Sequence, residues 1–222
     1  MSKLDFKGVI FDMDGLLVDS EKSMTIIYDE LFKELDISLP DEYFEGIMGT
    51  NREYERKLMI SYVKDEKKVD KFFSMFTERL YQYYRDHKIP LKEGAEELLL
   101  WLKEHDIPFA LATSSPLEAV ELAFTDRKVK ISDFKAIVTG TEVSKSKPDP
   151  EIFLKAADKI GVDISDCLVL EDSYSGIRAA MAAKTTAILV IDTFVPSEQL
   201  RKEIGYVFDS LKQVLELIKD GR

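Results

Sequence analysis

Residues 8–15 read Gly8-Val9-Ile10-Phe11-Asp12-Met13-Asp14-Gly15. A short apolar run with two β-branched members ends in a pair of carboxylates spaced i, i+2. The run predicts a buried strand over Gly8–Phe11. If the chain stays extended beyond it, Asp12 and Asp14 project to one side. Two anions sharing a side repel each other unless a cation, a proton or a hydrogen-bond donor separates them. A turn or a helix cap accommodates such a pair as well, so the DxD spacing alone leaves both readings open. Gly15 adds a tight turn.

The same pattern recurs downstream. Pro108–Ala112, Ala136–Thr139, Cys167–Leu170 and Thr186–Ile191 are short apolar strand candidates, and Tyr206–Phe208 is a possible sixth. Amphipathic stretches lie between them at Gly94–Lys103, Leu117–Phe124, Pro150–Ile160 and Ser175–Ala183. Strands alternating with helices predict an α/β fold, with right-handed crossovers and a parallel sheet covered on both faces. Ligands bind outside the carboxyl ends of such strands, so the chemistry is expected just after each apolar run.

From about Ser20 to His87 the alternation stops. The pattern there is helical over Glu21–Leu35, Arg52–Val63 and Glu66–Tyr84, with aromatics including Phe32, Tyr43, Phe44, Phe72, Phe73, Phe76, Tyr81, Tyr83 and Tyr84. This predicts a small helical bundle with an aromatic core. Inserted after the first strand, it would sit over that strand's carboxyl end as a lid. The lysine-rich patch Lys64–Lys71 also carries Asp65, Glu66 and Asp70 and reads as a solvated helix face.

Composition narrows the function classes. The chain has 222 residues, 45% apolar and 33% charged, which suits one globular domain or a domain with an insert. Its longest uncharged apolar stretches, such as Leu98–Leu102 and Ala187–Ile191, fall far short of the ~18 residues that span a bilayer. The start of the chain reaches Asp5 without the pattern of a signal peptide. One cysteine and two histidines exclude an internal disulfide, a zinc cluster and a histidine-rich metal site. With 31 basic and 42 acidic residues the net charge is −11, a field that disfavours nucleic acid and anionic membrane. The expectation is a cytoplasmic protein, monomeric, handling a small molecule.

Three further motifs follow predicted strands. In Thr113-Ser114-Ser115-Pro116, Ser115 is placed to be an N-cap, Pro116 the first helical residue, and Glu118 the partner in a capping box. A helix start with hydroxyls and free amides can also hold an anion. In Ser144-Lys145-Ser146-Lys147-Pro148-Asp149-Pro150, proline biases Lys147 to extended geometry, which makes it a fixed point charge suited to phosphate. Lys145 reads as a surface lysine, and Asp149-Pro150 as a helix start. In Leu170-Glu171-Asp172-Ser173, two acids beside a buried strand again call for a cation or donors, or cap the helix near Tyr174. Together these ends supply carboxylate oxygens, a hydroxyl with amides, and one ammonium. Hard oxygen donors with a phosphate suit Mg²⁺ better than zinc or copper.

The ordered set Asp12-Met13-Asp14-Gly15-Leu16-Leu17-Val18-Asp19-Ser20, Thr113, Lys147-Pro148-Asp149-Pro150 and Glu171-Asp172-Ser173-x-x-Gly176 resembles the haloacid dehalogenase-like hydrolase superfamily. It looks most like the branch with a helical cap after the first motif, which holds β-phosphoglucomutase-like proteins and sugar-phosphate phosphatases. The resemblance implies a Rossmann-like core, residues 1–18 and 90–222, and an all-helical cap, residues 19–89. It implies Asp12 as nucleophile and Asp14 as general acid/base. It implies Mg²⁺ held by Asp12, the Asp14 carbonyl and Asp172, with Glu171 adjacent, and Thr113, Ser114 and Lys147 around the phosphoryl group. DxD rather than a lone Asp fits phosphoryl transfer and speaks against dehalogenation.

Met48-Gly49-Thr50-Asn51-Arg52 looks like the cap loop that offers an arginine, here Arg52, to the substrate. Where β-phosphoglucomutase has a histidine on the first cap helix, this chain has Met24. Thr125–Lys130 and Ala183-Lys184-Thr185 depart from relatives, which have glycine there. The activity implied is hydrolysis of a small phosphorylated metabolite, a sugar or nucleoside monophosphate. The alternatives are a phosphomutase, and a regulatory module phosphorylated on Asp12 as a receiver domain is.

Overall fold

The computed structural model describes residues 4–47 and 52–220. Its sheet has six parallel strands: β1 (Gly8–Phe11), β2 (Phe109–Thr113), β3 (Ala136–Thr139), β4 (Cys167–Glu171), β5 (Thr186–Val190) and β6 (Val207–Phe208). They are ordered β3-β2-β1-β4-β5-β6. β1 is central, with Ile10 level with Ala110 of β2 and Val169 of β4. β1, β2 and β4 are buried throughout, as a parallel sheet covered on both faces requires.

Side-chain alternation along β1 builds both faces. Val9 and Phe11 join one apolar cluster with Leu98, Leu99 and Leu102 of α5 (Ala95–Glu104), Val120 of α6 (Leu117–Ala123) and Val214 of α10 (Leu211–Asp220). Ile10 joins the opposite cluster with Phe153 and Ala156 of α7 (Glu151–Ile160), Ile177 and Ala180 of α8 (Tyr174–Ala183) and Leu200 of α9 (Glu198–Ile204). The strand order reverses beside β1, and the crevice between the carboxyl ends of β1 and β4 is where a ligand site is expected.

Between β1 and α5 the described residues form four helices: α1 (Glu21–Glu34), α2 (Asp41–Ile47), α3 (Arg52–Val63) and α4 (Glu66–Asp86). Their interior is aromatic. Phe32 stacks on Phe72 at 5.2 Å between centroids, and Tyr28 meets Phe76 edge-on at 4.9 Å. Glu55 is set among these rings. It accepts hydrogen bonds from the hydroxyls of Tyr28 and Tyr43, the latter at 3.3 Å. Burial raises its pKa, and the two hydroxyls and the Arg52 charge moderate the rise. The two passages between helices and sheet run side by side. Asp19 N–H donates to Pro90 O at 2.9 Å and Lys92 N–H to Leu17 O at 3.0 Å.

The predicted α/β core with an inserted helical segment is observed, with differences in detail. α2, α9 and α10 were not expected. α10 does carry a legible apolar stripe, Leu211, Val214, Leu215 and Ile218, whereas α2 and α9 span less than two turns each. The N-cap expected at Ser115 is not formed. α6 begins at Leu117 with Pro116 at the cap position and no side-chain cap bond. Ser115 Oγ instead donates to Asp14 Oδ2 at 2.6 Å. A bond to a charged carboxylate is roughly twice as strong as one to a neutral group, so the carboxylate takes the hydroxyl from a seven-residue helix.

Two backbone positions carry stability. Gly94, at φ +84°, would place a Cβ 2.2 Å from the Lys212 amide nitrogen. Lys184 caps α8 in the left-handed region at φ +62°. We expect Gly94→Ala to destabilise the protein by about 2 kcal/mol, and Lys184→Gly to stabilise it by about 0.5 kcal/mol as strain is relieved against a larger backbone entropy loss. Urea unfolding midpoints measure both.

Candidate active site

Four loops after β1, β2, β3 and β4 meet at the crevice. A cavity of about 580 Å³ opens there, with Asp12, Asp14, Thr113, Ser114, Lys147 and Asp172 in its wall and Arg52 and Thr77 contributed by the inserted helices. At its base lies Lys147, with only 6% of its side chain exposed. Lys147 Nζ donates to Asp12 Oδ1 at 2.5 Å, to Glu171 Oε1 at 2.6 Å and to the Ala112 carbonyl at 3.1 Å. It also stands 4.9 Å over the Phe153 ring. Burial alone would lower its pKa. Asp12 and Glu171 outweigh that and hold it above the usual lysine range.

Glu171, the last residue of β4, is used on both oxygens. Oε2 accepts from the Asp172 and Ser173 amides, each at 3.1 Å, and from Ser173 Oγ at 2.9 Å. Ser173 Oγ in turn accepts from the Gly176 amide at 3.0 Å and starts α8. Gly176 gives Glu171 its room, since a Cβ there would meet Oε1 at 1.8 Å. Gly15 does the same for Asp172: at φ +81°, its Cβ would lie 2.3 Å from Asp172 Oδ2.

Asp12 is pushed up to about 7, first by burial and then by the neighbouring charges of Glu171 and Asp14, against the pull of Lys147. Asp172 is raised by burial and by Glu171, Asp12 and Asp192. Asp14 is raised by burial, and the hydroxyls of Ser115, Ser20 and Tyr84 draw it part of the way back. The Tyr84 hydroxyl, on α4, donates to Asp14 Oδ1 at 3.3 Å. An anionic cluster this costly is relieved by a cation. Asp12, Glu171 and Asp172 each present an oxygen, all within 4.8 Å of one another. Three hard donors, with no histidine or cysteine among the described lining residues, fit a divalent cation such as Mg²⁺.

Thr113 is buried, and its Oγ1 accepts from the Ser115 amide at 3.0 Å. Ser114 is exposed on the cavity side. Lys145 is 71% exposed and pairs with Asp149 at 3.4 Å. Arg52 is braced: Nη1 donates to Thr77 Oγ1 at 3.2 Å, and its guanidinium lies 5.0 Å from the Phe76 centroid and 5.4 Å from that of Phe73. The rest of its predicted loop, residues 48–51, lies outside the described residues. Met24 lines a separate apolar groove with Tyr28, Phe32 and Phe44. His87 and His105 stack on Tyr83 and Trp101, away from the cavity. Sequence reasoning did not single out Tyr84 or the contact of Ser115 with Asp14. Ser115 could be read only as a cap, and nothing marks Tyr84 among the neighbouring aromatics.

Comparison with known proteins bears on the site as a whole. The family model described as haloacid dehalogenase-like hydrolase matches residues 9–190. A probable pseudouridine-5'-phosphatase of Drosophila melanogaster is 34% identical, over 86% of this chain and 84% of that protein. The β-phosphoglucomutase of Bacillus subtilis (strain 168) is 30% identical, over 82% of each. Among solved structures, a hydrolase of this family from Entamoeba histolytica superposes with a TM-score of 0.79 at 27% identity, over 96% of this chain and 99% of that one. The chain belongs to the haloacid dehalogenase-like hydrolases, in their phosphoglucomutase-like branch, and is an enzyme of the phosphatase type.

Proposed function

We propose that the protein is a Mg²⁺-dependent phosphatase that hydrolyses a small phosphorylated metabolite, a sugar or nucleoside monophosphate, through a phospho-aspartate on Asp12. The observation that carries this reading is Asp12 itself. It is buried at the cavity floor, bonded to a buried ammonium 2.5 Å away and flanked by two further carboxylates. The name of the insect relative, a pseudouridine-5'-phosphatase, supports a nucleoside monophosphate within that class. Residues 1–18 and 90–222 would form the catalytic core and residues 19–89 the cap.

An Asp12 carboxylate oxygen attacks phosphorus, and the phosphorus–oxygen bond to the alcohol breaks as the new one forms. Asp14 gives its proton to the departing alcohol oxygen. It then takes a proton from the water that hydrolyses the acyl phosphate. Lys147 keeps Asp12 aimed and offsets the repulsion between its charge and the phosphate dianion. Thr113 and Ser114 line the phosphoryl end, and Arg52 meets the remainder of the substrate from the cap. Asp12, Asp172 and the Asp14 carbonyl would hold Mg²⁺, with Glu171 bracing Lys147 and the loop. The ion would supply neutralising charge at the phosphoryl oxygens. Hydrolysis is favoured over mutase chemistry by Met24, an apolar side chain outside the cavity lining at the position on the first cap helix where the resemblance to β-phosphoglucomutase would place a histidine.

The reading is tested by phosphate release over a panel of sugar phosphates and nucleotides, with Mg²⁺ and with chelator. Metal-dependent release from a monophosphate is expected. Interconversion of hexose phosphate isomers without release would replace phosphatase by mutase. Asp12→Asn should abolish turnover, and normal activity in that variant would remove Asp12 as nucleophile. Asp14→Asn should slow turnover about 10²–10⁴-fold while vanadate still binds.

Stability should report the charge cluster. Asp12 has a folded pKa of about 7 against an ordinary 3.8. Its contribution in the metal-free protein is therefore full below about 4 and lost as pH rises through 7; Asp14 and Asp172 act in the same sense. In chelator the melting temperature should fall from pH 5 to 8. Saturating Mg²⁺ should raise it, most at the alkaline end, and a flat metal-free profile would contradict the cluster's electrostatics.

A further inference from the structure

Tyr28 and Tyr43 turn their hydroxyls inward to Glu55. Tyr84, at the far end of α4, turns its hydroxyl outward onto Asp14. The residue is 4% exposed, so its ring is fixed by packing. The end of the helix is fastened to the core as well. Arg85 Nη1 donates to Glu118 Oε1 on α6 at 3.1 Å, and Lys88 Nζ to the Asp126 carbonyl at 3.2 Å. Asp14 is therefore gripped from two layers, Oδ1 by Tyr84 at 3.3 Å and Oδ2 by Ser115 at 2.6 Å.

The two grips act on different oxygens. A serine hydroxyl donates or accepts by rotating its hydrogen, so Ser115 stays bonded to Oδ2 whether that oxygen is bare or protonated. The Tyr84 phenol donates to the other oxygen, Oδ1, from the opposite layer. We propose that Tyr84 is a positioning residue for Asp14: by holding Oδ1 it fixes the rotation of the carboxyl and makes Oδ2 the oxygen whose proton passes to the departing alcohol. As the alcohol's bond to phosphorus breaks and the Asp12–phosphorus bond forms, that proton moves from Oδ2 to the alcohol oxygen, and Tyr84 keeps its own. The inference rests on the reading of Asp14 as general acid.

Tyr84→Phe in the full-length enzyme removes the hydroxyl and keeps the ring. The readout is kcat/KM, which covers the steps up to alcohol departure and omits later hydrolysis of the phospho-enzyme. An alkyl phosphate needs a proton on its leaving group, whereas p-nitrophenyl phosphate releases a stable phenolate without one. Tyr84→Phe should lower kcat/KM about tenfold for the alkyl ester, the scale of one hydrogen bond to a charged group, and less than about twofold for the aryl ester. Asp14→Asn should show the same split, larger. An equal loss on both esters, or no loss on either, in Tyr84→Phe overturns the positioning role while leaving Asp14 as the acid. If Asp14→Asn itself shows no dependence on the leaving group, the general-acid reading fails and the role of Tyr84 falls with it.

Discussion

One buried ammonium among carboxylates sets the terms for this structure. Lys147 is bonded to both Asp12 and Glu171, while Asp14 and Asp172 add acid nearby. Burying a charge is costly unless it is paired and hydrogen-bonded, and the local sequence is shaped by that requirement. Gly176 has no Cβ, so the Glu171 carboxylate occupies the space where one would project. Gly15 makes the same allowance for Asp172 while turning the chain at a positive φ. The amides of residues 172 and 173 satisfy the second oxygen of Glu171. Even so, burial holds the Asp12, Asp14 and Asp172 carboxyls above their ordinary pKa values, and repulsion from neighbouring carboxylates adds to it at Asp12 and Asp172. A site under that electrostatic load favours a cation and a phosphate, because each relieves part of it.

The sheet brings these groups together from stretches far apart in sequence. β1 and β4 are neighbours although more than 150 residues separate them, so the ends that carry Asp12 and Glu171 lie side by side. Lys147 arrives from the loop after β3, two strands away from β1, and its long side chain spans the distance. A reversed strand order beside β1 leaves the crevice uncovered by a crossover, and the inserted helices occupy its open side.

Much of this was legible in the sequence. The apolar runs at Gly8–Phe11 and Ala136–Thr139 match the observed strands residue for residue, because a buried parallel strand has few alternatives to a short β-branched run. The acids, Thr113 and Lys147 fell where strand ends place them. What escaped was decided by tertiary contact. Ser115, with Pro116 and Glu118 behind it, satisfied every local rule for a helix cap, yet a half-buried carboxylate 101 positions away claimed its hydroxyl. Tyr84 belongs to a helix rich in aromatics, and only the docked position of α4 distinguishes it from Tyr81 or Tyr83. Lys184, a non-glycine residue, accepts the left-handed conformation that the end of α8 needs.

Glu55, held between two tyrosine hydroxyls that come from separate helices, has a consequence for how the inserted layer can behave. Sliding one of its helices against another would leave a desolvated carboxyl without donors, a cost comparable to a sizeable part of a small domain's net stability. The layer is thus stiff within itself. It meets the core through the paired backbone passages beside Pro90 and Lys92 and through the end of α4, where Tyr84 and Arg85 reach Asp14 and Glu118, so displacement of the whole layer breaks those contacts while the layer keeps its own shape.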